Sequence, residues 1–268
     1  MTSITRKMFN SSAVLAFAAL AFGVPAQAEG NLTVYCSVQE EWCQSMVNEF
    51  QKATGISVAM TRKSSGETFA QVKAESANPK GDIWWGGTGD PHLQAAEEGL
   101  TEAYESPMLS KLHPWAVKQH ETGKGATVGV YLGALGYGYN SELLEQKKIA
   151  APACWADLIK PEFKGEVQVA NPNSSGTAYT FVATMVQILG EEEAFKYLKA
   201  LDGNINQYTK SGAAPAQAVA RGETLVGIAF QHDVITPTIT SNAPIKNVSP
   251  FEGTGFEIGS MSIIKVAP

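Results

Sequence analysis

Short apolar segments alternate with helix-length segments in the first part of the chain, and this alternation constrains the fold more than any other feature. The predicted strands are residues 32–35, 56–60 and 82–85. The predicted helices are residues 40–53, 68–77 and 91–99. Elements in this order predict βαβ units and a mostly parallel sheet. Ligands of such sheets bind beyond the carboxyl ends of the strands, so we expect a polar rim at residues 37–41, 62–66 and 86–90.

The pattern changes at about Thr127 and predicts a second α/β unit. Two strands dense in glycine and aromatic residues come first, at residues 128–132 and 135–139. Further strands are predicted at residues 167–170 and 225–230, and helices at 178–189 and 191–201. The sequence therefore predicts two lobes, residues 29–133 with the return of about 250–268, and residues 134–249. The strands that could make the return are residues 245–248 and 259–266.

The N-terminus has the features of a cleavable secretory signal peptide, residues 1–28. Arg6 and Lys7 precede an apolar run at residues 13–22, and a small-x-small cleavage signature ends at Ala28. The run is short for a bilayer span, and no cysteine follows the cleavage point to carry a lipid anchor. We therefore expect a soluble mature protein that begins near Glu29 and resides in the periplasm.

The chain is acidic, with a formal net charge of −6 at pH 7. Removal of the signal peptide makes it more acidic, because that segment contains two basic residues and no acid. An acidic protein is a poor candidate for binding nucleic acid or an anionic membrane surface. Any anion site must therefore be a local arrangement of backbone dipoles and a few cations.

The three cysteines are Cys36, Cys43 and Cys154. In an oxidising compartment, Cys36 and Cys43 are the natural disulfide pair. A zinc site is the alternative, but no histidine lies at ligand spacing around them. We expect Cys154 to be a small buried apolar residue and not a catalytic thiol.

Two turns rich in serine and glycine precede predicted helices, at residues 61–67 and 171–177. The free N–H groups of a helix's first turn, with its positive dipole end, bind anions, and glycine lets a ligand approach the backbone. An ordinary N-cap is the alternative for either turn taken alone. Two such turns in one secreted α/β chain favour an anion site, to which the cations of Arg62 and Lys63 could contribute.

Three further polar segments follow apolar strands. Thr88 lies among glycines at residues 86–90, and His232-Asp233 ends a strand where the pair could bind ligand hydroxyls. Glu257 lies beside glycines and an aromatic residue, so its carboxyl could accept from a hydroxyl or an ammonium group. The sequence lacks a Gly-x-Ser-x-Gly elbow, a Walker loop and a His-Glu-x-x-His metal motif. Binding is therefore a better interpretation than catalysis.

Together these motifs resemble the solute-binding proteins of ABC importers, in the subgroup often labelled iron(III)-type. The resemblance covers nearly all of the mature chain and rests on residues 34–37, 63–67, 81–87, 171–178 and 250–259. It implies an α/β, two-lobed periplasmic binding protein fold of type II-like architecture, with hinge strands and closure around the ligand. Members of this family continue with further helices, so we expect that the chain is truncated at Pro268.

Within that family the sequence looks like the receptors for hexose phosphates. Iron binders use two adjacent tyrosines, whereas this chain has no Tyr-Tyr pair and offers Phe251 and Phe256 in that region. The resemblance assigns the phosphate to Ser64, Ser65, Gly66, Ser174, Ser175, Gly176, Thr177 and Ala178. It assigns the organic moiety to Thr88, His232, Asp233 and Glu257. Trp84, Trp85, Phe251 or Phe256 could flank that moiety, with core packing as the favoured alternative for each.

The resemblance also implies partners. A monomeric receptor would deliver a small organophosphate ligand to a membrane permease driven by a separate ATPase, with no cofactor and no metal of its own. The alternatives within the family are ferric ion with a synergistic anion, 2-aminoethylphosphonate and polyamines. A secreted phosphatase-like hydrolase, with His232 as acid or base, is the alternative from another class.

Overall fold

The structure is a computed structural model that describes residues 30–266, and the predicted signal peptide lies outside them. The strands are β1 Asn31–Cys36, β2 Ser57–Arg62, β3 Ile83–Trp85, β4 Thr101–Glu102, β5 Val128–Asn140, β6 Val167–Ala170, β7 Ile205–Thr209, β8 Val226–Phe230, β9 Ile245–Val248 and β10 Phe256–Ile264. The α-helices are α1 Glu40–Thr54, α2 Ser65–Ala74, α3 Gly89–Glu97, α4 Pro114–Thr122, α5 Ser141–Lys147, α6 Gly176–Leu189, α7 Glu191–Asp202, α8 Ala214–Ala220 and α9 Gln231–Ser241. No helix among residues 30–266 combines the length and the apolar character needed to cross a membrane.

The strands form a mixed sheet in the order β2-β1-β3-β10-β5-β8-β6-β7. In the first lobe β1 lies parallel to β2 and β3, and β10 runs antiparallel to β3 and β5. In the second lobe β6 lies parallel to β7 and β8. Every residue of β6 and β8 is buried, as expected for parallel strands covered on both faces. The predictions of βαβ units and of an α/β fold are confirmed, but the sheet is mixed rather than mostly parallel, because β10 and β5 run antiparallel to their neighbours.

The two lobes share the strand β5, which the sequence analysis wrongly divided into two. Val128–Ala134 pair with β10, and Leu135–Tyr139 pair with β8. The backbone stays extended through Gly133 and Ala134 because both residues keep partners in β10, so the glycine does not break the strand. A single strand therefore crosses from one lobe to the other.

Three helices begin earlier than predicted. The first turns of α2, α3 and α6 start at Ser65, Gly89 and Gly176, because the preceding Ser64, Thr88 and Ser175 adopt the extended N-cap conformation. Ser65, Gly66 and Gly176 therefore lie inside a first helical turn, where backbone N–H groups lack intrahelical partners, whereas Ser64 and Ser175 are the N-caps.

The placement of two C-terminal segments also differs from the sequence prediction. His232 and Asp233 lie in the first turn of α9 and not on the strand, because β8 ends at Phe230. Two consecutive residues of a helix can both border the same cleft. Two consecutive residues of a strand cannot, because their side chains point to opposite faces. The strand at 245–248 pairs with β5 inside the second lobe, and β10 alone makes the return to the first.

The disulfide between Cys36 and Cys43 is present, as predicted, and it joins the end of β1 to the first turn of α1. Cys154 is free and buried, also as predicted. The bond closes a short loop at the base of the rim segment 37–41, so it holds that segment against the first lobe.

We expect reduction of this disulfide to lower the free energy of unfolding by about 2–3 kcal/mol, which is the chain-entropy value for so short a loop. The melting temperature should fall by roughly 5–10 °C for a chain of this size. Thermal unfolding with and without reductant measures the change, and a variant with Cys36→Ser and Cys43→Ser is the control. If the reductant lowered the melting temperature of that variant by the same amount, the effect could not be assigned to this disulfide.

Candidate functional site

A narrow cleft lies between the two lobes, at the carboxyl ends of β1, β2 and β3 and beside the N-terminal ends of α2 and α6. It is bordered by residues from both lobes. The lining residues are Ser37, Val38, Gln39, Arg62, Ser64, Ser65, Gly87, Thr88, Tyr131, Ser175, Gly176, Thr177, Ser211, Gly212, Ala213, Phe230, His232, Asp233 and Glu257. The cleft therefore lies at the rim that the sheet topology predicts.

One end of the cleft is formed by the N-terminus of α6. The hydroxyl of Ser175 caps this helix by accepting from the backbone N–H of Ala178 at 3.5 Å. Gly176 and Thr177 occupy the first turn and are buried, and Gly176 lies against Thr88 of the other lobe. A Cβ at Gly176 would lie 1.9 Å from Oγ1 of Thr88, so only glycine allows this approach. This end offers backbone N–H donors in a positive dipole field, the arrangement that binds an anion.

Thr88 contributes the clearest unfilled polar group at this end. Its side chain is 2% exposed, and Oγ1 has no hydrogen-bond partner among the described residues. Its backbone N–H donates to the Ser65 hydroxyl at 3.2 Å. Thr88 thus lies at the α6 end of the cleft, whereas the sequence analysis assigned it to the organic moiety. A buried hydroxyl without a partner needs a ligand or water to satisfy it.

Direct hydrogen bonds across the cleft join the two lobes beside the α6 end. The N–H of Gly66 donates to the carbonyl oxygen of Ser174 at 3.0 Å, and the Ser64 hydroxyl donates to the carbonyl oxygen of Lys210 at 2.9 Å. The Ser174 hydroxyl donates to the carbonyl oxygens of Asn171 and Lys210. The groups of Gly66 and Ser174 are therefore engaged in contacts between segments of the chain.

Of the residues predicted to bind phosphate, some border the cleft and others lie behind it. Those that border it are Ser64, Ser65, Ser175, Gly176 and Thr177. Those that do not border it are Gly66, Ser174 and Ala178. All four residues predicted for the organic moiety border the cleft, namely Thr88, His232, Asp233 and Glu257. The binding roles of these residues stay predictions.

The opposite end of the cleft carries two buried carboxyl groups beside a histidine. Nε2 of His232 lies 3.8 Å from Oδ2 of Asp233 and 3.9 Å from Oε1 of Glu257. The histidine ring stacks on Phe230 and packs against Trp42 and Tyr131. This end can therefore accept hydrogen bonds from a ligand and can flank it with aromatic surface.

Burial controls the protonation of this cluster. It raises the pKa of Asp233 to about 7, opposed by the amide of Gln39 and by the charge of Arg62. It raises the pKa of Glu257 well above its usual value, and the nearby carboxyls of Asp233 and Asp90 add to the effect. Burial also lowers the pKa of His232 to about 4, so the imidazole is neutral at pH 7 and does not neutralise the two acids.

We expect Asp233→Asn to stabilise the unliganded protein at pH 8 and to have much less effect at pH 4. A raised pKa means that the folded protein holds the proton longer than the unfolded chain, so the contribution of Asp233 to stability falls as pH rises from 3.8 to about 7. Asparagine carries no charge and escapes this loss. Melting temperatures at the two pH values measure the difference, with Asp202→Asn as an exposed control. An equal shift at both pH values would contradict the argument.

Sequence reasoning missed several groups that complete the cleft. Gln39 was covered only as part of the polar rim, and Tyr131 lies in the middle of a strand where no local pattern indicates a ligand contact. Arg62, which the sequence suggested as a nearby cation, does border the cleft and donates to the Ser211 hydroxyl at 3.1 Å. Residues 211–213 precede a short helix, and no pattern in the sequence indicated that they would border the cleft.

The aromatic residues that could flank the organic moiety according to the sequence do not border the cleft. Trp84 is fully buried in the first lobe, where it stacks on His92. Phe251 and Phe256 are 77% and 61% exposed and do not border the cleft. The aromatic groups that do surround His232 come from Trp42, Tyr131 and Phe230.

Residues 79–265 match the family described as bacterial extracellular solute-binding protein. An uncharacterized protein of Haemophilus influenzae is 45% identical over 258 residues, which are 96% of this chain and 74% of that protein. The Fe(3+)-binding periplasmic protein of Serratia marcescens is 25% identical over 222 residues, 83% of this chain and 62% of that protein. A putative 2-aminoethylphosphonate-binding periplasmic protein of Salmonella typhimurium is 29% identical over 221 residues, 80% of this chain and 61% of that protein. The chain thus spans less than two thirds of the last two relatives.

Solved structures agree with the sequence matches. The periplasmic binding protein AfuA from Actinobacillus pleuropneumoniae, solved with exogenous fructose-6-phosphate bound, superposes with a TM-score of 0.84 at 45% identity. The periplasmic binding protein P5PA superposes with the same TM-score at 42% identity. Each alignment covers 88% of this chain and 74% of the other. The resemblance read from the motifs is confirmed, and the chain belongs to the family of bacterial extracellular solute-binding proteins, the receptors that serve ABC importers.

Proposed function

We propose that this chain captures a small phosphorylated solute, of the hexose phosphate type, between its two lobes. The observation that carries the proposal is the polarity of the cleft. One end presents the first turns of α2 and α6 and the unpartnered hydroxyl of Thr88, whereas the other presents Asp233 and Glu257. Backbone N–H groups suit a phosphate, and carboxyl oxygens suit the donors of a polyol.

Binding of such a solute favours closure because the ligand contacts both lobes at once. Residues 29–133 with about 250–268 form one lobe in this proposal, and residues 134–249 form the other. A ligand shifts the population toward the closed form only through its greater affinity for that form. Contacts from α2 in one lobe and α6 in the other provide that differential affinity.

We infer the location of the receptor and its partners from the family. The chain is exported to the periplasm by its signal peptide, acts as a monomer, and delivers its ligand to an inner-membrane permease with a separate ATPase. The AfuA structure with bound fructose-6-phosphate supports the class of ligand, because that protein shares 45% of aligned residues with this chain.

The cleft is built for binding rather than for turnover. Catalysis by His232 needs a base near neutral pH, whereas burial lowers its pKa to about 4. The relatives are binding proteins. Incubation with glucose 6-phosphate should therefore release no inorganic phosphate, and release at an enzymatic rate would favour the hydrolase alternative.

A second candidate ligand is 2-aminoethylphosphonate, which the buried pair of Asp233 and Glu257 favours. An ammonium group at that end would favour the ionised form of these carboxyl groups and pair with them, while the first turns of α2 and α6 hold the phosphonate. The cleft offers fewer suitable oxygen ligands to a ferric ion. Among the residues that line the cleft, Tyr131 supplies the one phenol, and its oxygen accepts the N–H of Gly87 at 2.9 Å.

Calorimetric titration tests the proposal, with glucose 6-phosphate, inorganic phosphate, glucose, 2-aminoethylphosphonate and ferric citrate run in parallel. We expect tight binding of glucose 6-phosphate and weak binding of inorganic phosphate and of glucose, because each fragment fills one end of the cleft. Silence with glucose 6-phosphate and a response to the phosphonate or to ferric ion would transfer the assignment to that ligand.

A further inference from the structure

Gln39 precedes the first residue of α1 and faces the cleft from the first lobe. Its side-chain Nε2 donates to Oδ1 of Asp233, which lies on α9 of the second lobe. Its Oε1 is buried and has no hydrogen-bond partner among the described residues. The amide thus makes one bond across the cleft and leaves a strong acceptor unused beside the organic end.

The hydrogen bond to Asp233 sets the orientation of this amide. Its NH₂ group donates to Oδ1 of the carboxyl group, so its carbonyl oxygen faces elsewhere. A buried acceptor without a partner costs about 1–3 kcal/mol. A donor on the ligand would remove that cost, because Gln39 lines the same cleft as Asp233 and Glu257.

We propose that Gln39 is a specificity-determining residue: its Oε1 accepts a hydrogen bond from a hydroxyl group of the bound organophosphate, while its Nε2 holds Asp233 in place as a second acceptor for the same end of the ligand. The inference rests on the proposed organophosphate function and extends it. In this proposal, Gln39, Asp233 and Glu257 together accept hydrogen bonds from the sugar and distinguish one sugar phosphate from another. The α6 end binds the phosphate.

The arginine that lines the cleft is engaged with other groups. The cation in the cleft, Arg62, donates through Nε to the carbonyl oxygen of Val38 at 2.8 Å and through Nη2 to Ser211. The Tyr131 hydroxyl oxygen accepts the backbone N–H of Gly87 at 2.9 Å. A ligand hydroxyl can supply the donor for Gln39, and a site that reads a hydroxyl by a buried acceptor rejects analogues that lack it.

The test compares Gln39→Met, which keeps the length of the side chain and removes the amide, with the unsubstituted protein. Calorimetry measures affinity for glucose 6-phosphate, for each monodeoxy analogue and for inorganic phosphate. We expect Gln39→Met to weaken glucose 6-phosphate by roughly 10- to 100-fold and to leave inorganic phosphate within about two-fold. One deoxy analogue should bind the variant and the unsubstituted protein equally, because it lacks the hydroxyl that Gln39 reads.

Gln44→Met, at an exposed site on the same helix, is the matched control and should change no affinity. Gln39→Asn, which keeps the amide on a shorter side chain, should lose affinity for glucose 6-phosphate but retain the same order among the analogues. Parallel losses for glucose 6-phosphate and inorganic phosphate would show that Gln39 acts only on closure, and unchanged affinities would remove any role. Failure of the proposed function itself would give a different result, because the unsubstituted protein would then show no preference for glucose 6-phosphate over inorganic phosphate.

Discussion

Substitution of Ser175 by glutamate is expected to weaken glucose 6-phosphate binding by at least about a thousand-fold. Ser175 is 2% exposed at the N-cap of α6, so the new carboxylate must enter the cleft or displace the helix terminus. Inside the cleft it occupies the first-turn N–H groups that we assign to phosphate. Like charges brought together in a desolvated site cost several kcal/mol, and each 1.4 kcal/mol is a factor of ten in affinity.

Two controls separate lost binding from lost folding. Ser110→Glu adds the same charge at an exposed serine that does not border the cleft and should leave affinity unchanged. Ser175→Ala removes the cap alone, which should cost about 1 kcal/mol of stability and only part of the affinity. Calorimetry gives the affinities and thermal unfolding gives the stabilities. A Ser175→Glu protein that binds organophosphates normally would refute the phosphate site.

Substitution of Gly176 by valine should reduce the affinity for glucose 6-phosphate by roughly 10- to 100-fold, because overpacking of a well-packed contact typically costs 1–3 kcal/mol. A Cβ at this position lies 1.9 Å from Oγ1 and 2.8 Å from Cβ of Thr88, which belongs to the other lobe. The two lobes cannot approach to this distance with a side chain between them. We therefore expect the variant to lose ligand-induced compaction, which X-ray scattering with saturating ligand measures.

A size series makes this prediction sharper. Gly176→Ala should show a smaller loss than Gly176→Val, and Thr88→Ala added to Gly176→Ala should restore part of the compaction because it removes the closest atom. Gly30→Val is the control, since a Cβ at Gly30 meets nothing within 4 Å. Full compaction of the Gly176→Val protein would contradict the packing argument.

The sequence predicted most of what is local in this fold. Strand and helix segments of the first lobe follow hydrophobic periodicity, and the serine and glycine residues before α2 and α6 mark helix N-termini. Both helix ends reach one cleft because the topology of parallel strands places their carboxyl ends together. The disulfide was predictable for a similar reason, since the two cysteines are close in sequence.

The rest depends on long-range pairing that no local pattern records. The continuity of β5 is decided by its partners β10 and β8, which lie far away in the sequence. Tyr131 and Gln39 reach the organic end only after the lobes meet.

The shared strand β5 also limits how such a receptor can be recombined with its relatives. Tyr137 pairs with Ile228 on one side and with Val248 on the other, so the second half of β5 is a central strand of the second lobe. A chimera that exchanges one lobe must either carry half of β5 with it or leave a gap in the middle of a sheet. Exchange of one lobe between relatives is thus coupled to the strand that both lobes share.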